Sequence, residues 1–290
     1  MKVDSTEKKK LSRSAEVWRR YRKSPTAMIG LAIISVIILS AIFADIIVPY
    51  DYGIKQVIPD RLQGPPLKHL FGTDDLGRDL FSRVIHGSRS SLVLGILTTA
   101  VATLIGGFLG GICAYYGNRV DNIIMRLLDV ITSIPSTLLS LSIVAALGPG
   151  IRNLVIAITV SRVPTFARVI RSAVLNIVNQ EYIEAAKAGG TRNLRIMLRH
   201  VYPNAMSPII VQCTMSISQL ILQAAGLSFL GMGMQPPAPE WGALLNSARD
   251  FMRTAPHLML FPGIAIVLAA LAFNLVGDGL RDAFDPRLKS

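Results

Sequence analysis

The chain of 290 residues has two cysteines, four histidines and only 17% charged residues. Each scarcity excludes something. Cys113 and Cys213 both fall in apolar runs, where a thiol packs as a small hydrophobe, so neither a disulfide framework nor a thiolate metal site is indicated. His69, His86, His200 and His257 are scattered, and no H-E-x-x-H or G-x-S-x-G occurs, which leaves no zinc-hydrolase or serine-nucleophile signature. No nucleophile and base stand at helical spacing within an apolar run, which argues against an intramembrane hydrolase. G-x-x-x-x-G-K-[ST] is absent too, so the chain has no P-loop with which to hold ATP; Gly189-Gly190 lacks both the Lys and the preceding strand. Asp74, Asp75 and Asp79 lie close together without the EF-hand spacing. They read as a turn and helix cap after Gly72-Thr73.

Apolar residues, at 51%, are what the chain has in excess. Charge-free tracts cover residues 26–44, 90–118, 130–150, 201–239 and 254–277, near or above the roughly 20 residues that cross a hydrocarbon core about 30 Å thick. A weaker tract at 153–167 is interrupted by Arg162 and Pro164. Six spans follow, at 26–48, 91–114, 126–147, 152–172, 206–229 and 257–277, and the fold class is all-α integral membrane. Three readings of Arg162 stay open: it snorkels, it pairs with a carboxylate of a partner, or it ends the fourth span early.

The net charge of +12 reads as topology rather than as a nucleic-acid surface. Nine Lys and Arg lie between Lys2 and Lys23, and six between Arg168 and Arg199. Six spans put both termini and these two regions on one side, which the positive-inside rule makes the cytoplasm. The basic N-terminus followed by an apolar run imitates a signal peptide. That run is longer than an h-region and no A-x-A site closes it, so it is expected to stay as an anchor. Residues 1–25 form a basic arm and 26–290 the membrane domain. Val17, Trp18 and Tyr21 recur at helical spacing, as in a helix lying on lipid; a disordered basic tail is the competing reading.

The long outer loop, 49–90, is expected to end in an interfacial amphipathic helix, with Leu80, Phe81, Val84 and Ile85 opposite Arg78, Asp79, Ser82 and Arg83. In the second span Gly106, Gly107, Gly110 and Gly111 form overlapping G-x-x-x-G pairs, a close-packing seam within a bundle or a membrane dimer.

Between the fourth and fifth tracts stands NQEYIEAAKAGGTRNLRIMLRHVYPN, residues 179–204. Residues 181–188 are good helix formers, Gly189 and Gly190 are suited to left-handed conformations that stop a helix, and Thr191 can cap a second one that Pro203 limits. On that second helix Leu194, Met197, Leu198 and Val201 make an apolar face, and Arg192, Arg195 and Arg199 a basic one. The hairpin suits either a resting place on anionic lipid or a docking element for a partner. The smooth surface of Ala185, Ala186 and Ala188 favours the partner.

Glu184-Ala185-Ala186, three residues, Gly190, nine residues, and then His200-Val201-Tyr202-Pro203 resembles the EAA loop of binding-protein-dependent ABC importer permeases. The departures are His200 and Tyr202, where that pattern has Ile and Leu. The segments FGTDDLGRDLFSRVIHGSRSSL, GLSFLGMGMQPPAPEWG and GDGLRDAFDPRLKS are similar to the dipeptide, oligopeptide and nickel class of these permeases. The resemblance implies the type I permease fold, with 173–204 as a coupling loop in which Glu184, Ala185, Ala186, Gly190, His200 and Pro203 meet a separate ATPase. It implies a second, related permease, two cytoplasmic ATPases and an external solute-binding protein. This chain would then hold no cofactor, ATP and Mg being used by the ATPases, and would not be an enzyme. The implied solutes are dipeptides or oligopeptides, with nickel, glutathione or another small solute as alternatives. A stand-alone secondary transporter is the reading outside the family, and the scarcity of ionisable groups at membrane depth speaks against it.

On the fifth span Gln212, Ser216, Gln219 and Gln223 form one polar stripe. They either line a solute pathway or hydrogen-bond between helices. The third span has a weaker polar face in Ser133, Ser136, Thr137 and Ser140. Residues 235–241, QPPAPEW, cannot be regular helix because their prolines lack donors. They are expected to form a stiff loop that, with 69–89, meets the solute-binding protein.

Overall fold

A computed structural model describes residues 13–65 and 68–285. The expectations for residues 1–12 of the arm and for the last five residues of the C-terminal motif lie outside the described residues. Among the described residues the chain is helical, without a strand. The principal helices are α1 (Arg13–Tyr21), α2 (Pro25–Ile42), α3 (Leu80–Tyr116), α4 (Asn118–Thr132), α5 (Ser136–Leu147), α6 (Ile151–Val178) and α7 (Glu181–Ala188). They continue as α8 (Asn193–Phe229), α9 (Trp241–Ala248) and α10 (His257–Phe284). Five of them, α2, α3, α6, α8 and α10, are long and apolar enough to cross a membrane; α4 and α5 make a sixth span if the bent pair is one.

The third span, expected at 126–147, is a bent pair. α4 and α5 meet at 81° across Ser133-Ile134-Pro135. Pro135 has no N–H for the ladder and disfavours helical geometry in the residue before it.

The largest correction concerns the outer loop. Residues 80–89 are not an interfacial helix but the first turns of the 37-residue α3. Both of its faces are enclosed, since Ser82 and Arg83 are as buried as Leu80 and Val84. Arg83 donates to the Gly53 carbonyl at 2.8 Å and to that of Pro237 at 3.4 Å, and His86 Nε2 meets the Val48 carbonyl at 2.9 Å. The polar face thus binds backbone of the overlying loops, an arrangement that periodicity reads as solvent exposure. Asp79 caps α3 by accepting from Ser82 N at 2.7 Å. The Asp74 carboxylate is buried and accepts from Arg78 Nε at 2.6 Å.

At this end of the bundle Trp241 is sealed among Ile34, Leu80, Val84, Leu92 and Phe273 and donates from its indole N–H to the Val84 carbonyl at 2.9 Å. Residues 235–240 are outside any helix. At the other end α1 packs on α10: Tyr21 is buried with Ala27 and Ala283 and donates to the Ala27 carbonyl at 3.1 Å. Val17 joins that cluster, while Trp18 is half exposed. This part of the arm is therefore a docked helix rather than a tail.

Candidate functional site

The hairpin that interrupts the apolar signal is built from both sides of a glycine turn. α7 carries Glu181 and Glu184 in its first turn, where carboxylates complement the helix dipole. It closes with Gly190 N–H donating to the Lys187 carbonyl at 3.0 Å and Thr191 N–H to the Ala186 carbonyl at 3.1 Å, the paired bonds of a Schellman end. Gly190 takes the left-handed conformation this end needs, φ +75°. Gly189 does not, with φ −74°, so the stop rests on one glycine rather than two. The next helix is capped at Arg192 rather than Thr191, and it does not end at Pro203. It runs straight into the fifth span through a π segment, Met197–Val201. Pro203 sits in the first turn of the α-helix that resumes at Tyr202, where the missing N–H is best tolerated.

That extra residue per turn divides the expected apolar face. Ile196, Met197 and Val201 point inward and are buried, whereas Leu194 is 68% and Leu198 61% exposed. The two leucines line a groove of about 760 Å³ with Gly190, Thr191, Arg192, Arg195 and Arg199. Ile183 is fully buried, Ala186 and His200 are half-buried, and Glu184, Ala185, Gly190 and Pro203 are exposed. The hairpin thus has an inner face fixed against Ala114, Ile170, Val174 and Ala205 and an open outer face bearing Glu184, Ala185 and Gly190.

Three further contacts hold it, all invisible to local pattern. Tyr115, near the end of α3, donates to Asn193 Oδ1 at 2.8 Å, and Lys187 Nζ lies 5.0 Å from the centre of the Tyr115 ring. Tyr202 donates from its hydroxyl to the Gly107 carbonyl at 3.0 Å. The four seam glycines are thereby placed inside one chain. A Cβ on Gly106 would lie 2.7 Å from Phe166 Cβ of α6, one on Gly110 would overlap the Ala167 carbonyl, and one on Gly111 would overlap the Tyr202 hydroxyl. Only Gly107 has room, with Ile170 Cδ1 at 3.4 Å. Arg171 and Asp121, and Arg168 and Asp129 at 2.8 Å, tie α6 to α4.

The polar stripe of the fifth span divides as well. Gln212 donates to Ser216 at 3.0 Å within the helix, and Gln219 is exposed. Gln223 is buried and accepts from Arg162 Nε at 2.8 Å and from a second Arg162 nitrogen at 2.6 Å. Its own amide nitrogen donates to Ser140 at 3.2 Å, and Ser140 donates to Ser161 at 2.9 Å. Gln223 therefore braces three helices, and Arg162 lies within α6 rather than at its end. Asp74, Asp75 and Asp79 are spent on Arg78, Arg83, His69 and the α3 cap. No cluster suited to a metal occurs among the described residues.

Residues 102–290 match the family model described as the binding-protein-dependent transport system inner membrane component, and residues 12–65 match that of the N-terminal TM domain of oligopeptide transport permease C. The dipeptide transport system permease protein DppC of Alkalihalophilus pseudofirmus is 46% identical over 95% of this chain and 90% of its own length. The glutathione transport system permease protein GsiD of Escherichia coli is also 46% identical, over 94% and 90%. The di/tripeptide permease DppC of Pseudomonas aeruginosa is 44% identical over 95% and 92%. Among solved structures, an inward-facing form of the MetNI methionine ABC transporter superposes with TM-score 0.57 at 18% identity, covering 70% of this chain and 97% of that one. An amino acid ABC transporter gives 0.52 at 20% identity, covering 72% and 95%.

Proposed function

The chain belongs to the family of binding-protein-dependent transport system inner membrane components, and from that premise we propose that it forms half of the pathway of an ATP-driven importer of dipeptides or oligopeptides. It is a multi-pass membrane transport subunit. The observation that carries the proposal is the two-faced hairpin: Ile183, Ile196 and Val201 are sealed against the spans while Glu184 and Ala185 face outward.

A push on that outer face reaches the fifth span without an intervening loop, because α8 is continuous from Asn193 to Phe229. Of two ATPases, each hydrolysing ATP with Mg, one would seat on Glu184, Ala185, Ala186 and Gly190 of this chain, with His200 and Pro203 at the foot of the second helix. A related second permease completes the pathway. A solute-binding protein would meet the 69–89 and 235–241 segments on the opposite side. Both termini are then cytoplasmic, with residues 1–25 as the arm, 26–290 as the permease domain, 49–90 outside and 173–204 as the coupling loop. Of the polar stripe, Gln212 and the exposed Gln219 would line the pathway, while Ser216 and Gln223 are buried behind it.

Peptides are favoured because two of the relatives named above are dipeptide or di/tripeptide permeases. Glutathione, itself a small peptide, is the second reading, on the strength of the 46% identity to GsiD. The test is reconstitution with the ATPases, the second permease and the binding protein in proteoliposomes. Vanadate-sensitive dipeptide uptake is expected; uptake by this chain alone, driven by an ion gradient, would refute the proposal. Mass spectrometry of the ligand that co-purifies with the binding protein decides between the solutes.

A further inference from the structure

Arg162 differs from the other arginines of α6 whose side-chain bonds are described. Arg168 and Arg171 end on Asp129 and Asp121, whereas Arg162 meets no carboxylate among the described residues. Its contact is with the neutral oxygen of Gln223, which takes both of its hydrogen bonds. A guanidinium has five donors, so three are left over. Arg162 is 11 residues from the start of α6, 162 less 151, or about 16 Å along the helix axis. That is near the middle of a core about 30 Å thick, where an uncompensated cation is costly.

The side chain is nonetheless held, not loose. Gln223 is fixed by its bond to Ser140, and Ser140 by Ser161, so the acceptor for Arg162 is aimed by two other helices. Arg162 is only half-buried, and Gln219, one turn from Gln223 on α8, is exposed. A fixed, half-buried cation with free donors is a receptor for a planar anion, which the guanidinium fork matches.

We propose that Arg162 is a transient binding point for the carboxylate of the passing solute, positioned by Gln223 and Ser140. This rests on the transport reading and narrows it. Solutes bearing a free carboxylate are favoured, and a bare divalent cation is repelled by the same charge. Release stays possible because one charged contact in a polar path is weak enough to leave.

The test uses the purified importer with both permeases and both ATPases but without binding protein. Equilibrium binding of alanyl-alanine and of its C-terminal amide is measured for wild type, Arg162→Lys and Arg162→Met. Wild type should prefer the free carboxylate. Arg162→Met should weaken alanyl-alanine binding by about tenfold or more and leave the amide unchanged, which also reports that the variant is folded. Arg162→Lys should keep part of the preference. Equal binding of both probes by wild type, no binding of either, or equal losses in Arg162→Met would each overturn the proposal. The last would fit a brace, or an arginine neutralised by a companion subunit. ATP-driven uptake by wild type with its binding protein is scored separately, so failure of the transport reading is distinguishable from failure of this site.

Discussion

The Tyr202 hydroxyl donates to the Gly107 carbonyl at 3.0 Å, in a notch that exists because Gly111 has no side chain. Tyr202 is the first residue after the π segment, so this bond pins the foot of the fifth span to the second. Tyr202→Phe should lower stability by about 1 kcal/mol, and Gly111→Ala by more, because the new methyl overlaps the hydroxyl. The double variant should lose less than the sum, since the phenylalanine lacks the clashing oxygen. Thermal melting of the four proteins checks this, and strict additivity would mean that the notch does not couple them.

Gly190 offers a different kind of vulnerability. Nothing lies within 4 Å of a Cβ built there, so the obstacle to substitution is its φ of +75°, which strains a β-carbon by about 1–2 kcal/mol. Gly190→Asn should be nearly neutral in folding. Gly190→Trp projects a ring from the outer face, and Glu184→Lys reverses a charge there. Both should insert normally yet let the ATPases turn over without transport. Uptake per ATP hydrolysed in proteoliposomes is the measurement, and normal uptake in both variants would remove the coupling role.

The hairpin was legible because its signals are local. Gly190 ends a helix and Glu181 to Ala188 make one, within reach of any window of sequence. The π segment was not, because the hydrophobicity pattern stays helical through Met197 to Val201 while the wider turn carries Val201 inward and leaves Leu198 outside. Nor was the enclosure of Arg83, whose partners Gly53 and Pro237 lie 30 and 154 residues away. Periodicity tells which face is polar, but not whether water or backbone carbonyls satisfy it. The Tyr115 to Asn193 bond, 78 residues apart, carries no sequence signal at all.

Neighbouring glycines of the α3 seam should respond in opposite ways. At Gly107 an added methyl meets Ile170 Cδ1 at 3.4 Å, a flexible tip in ordinary contact, whereas at Gly110 it overlaps the backbone carbonyl of Ala167. Gly107→Ala should be close to neutral. Gly110→Ala should push α3 and α6 apart and destabilise the fold by about 1–3 kcal/mol, the usual cost of overpacking. The midpoint of detergent-induced or thermal unfolding checks the contrast, and equal effects would show that the seam is looser than its geometry.

Glu240 supplies the test in pH. Its carboxylate caps α9, accepting from Gly242 N at 2.9 Å, from Ala243 N at 3.0 Å and from Ser91 at 3.1 Å. It is almost fully buried, and burial pushes the carboxyl above the usual range, outweighing the capping donors that pull it down. The folded state therefore binds this proton more tightly than the unfolded chain, whose Glu titrates near about 4.3. The associated stability is fully present below that pH and is lost as pH rises through the raised folded value. Glu240→Gln, neutral throughout, removes the dependence at the cost of one acceptor for Ala243 N. The melting temperature of wild type minus that of Glu240→Gln should accordingly fall as pH rises from about 4 toward neutrality. A rising difference would mean that the backbone donors, rather than burial, set the protonation of this residue.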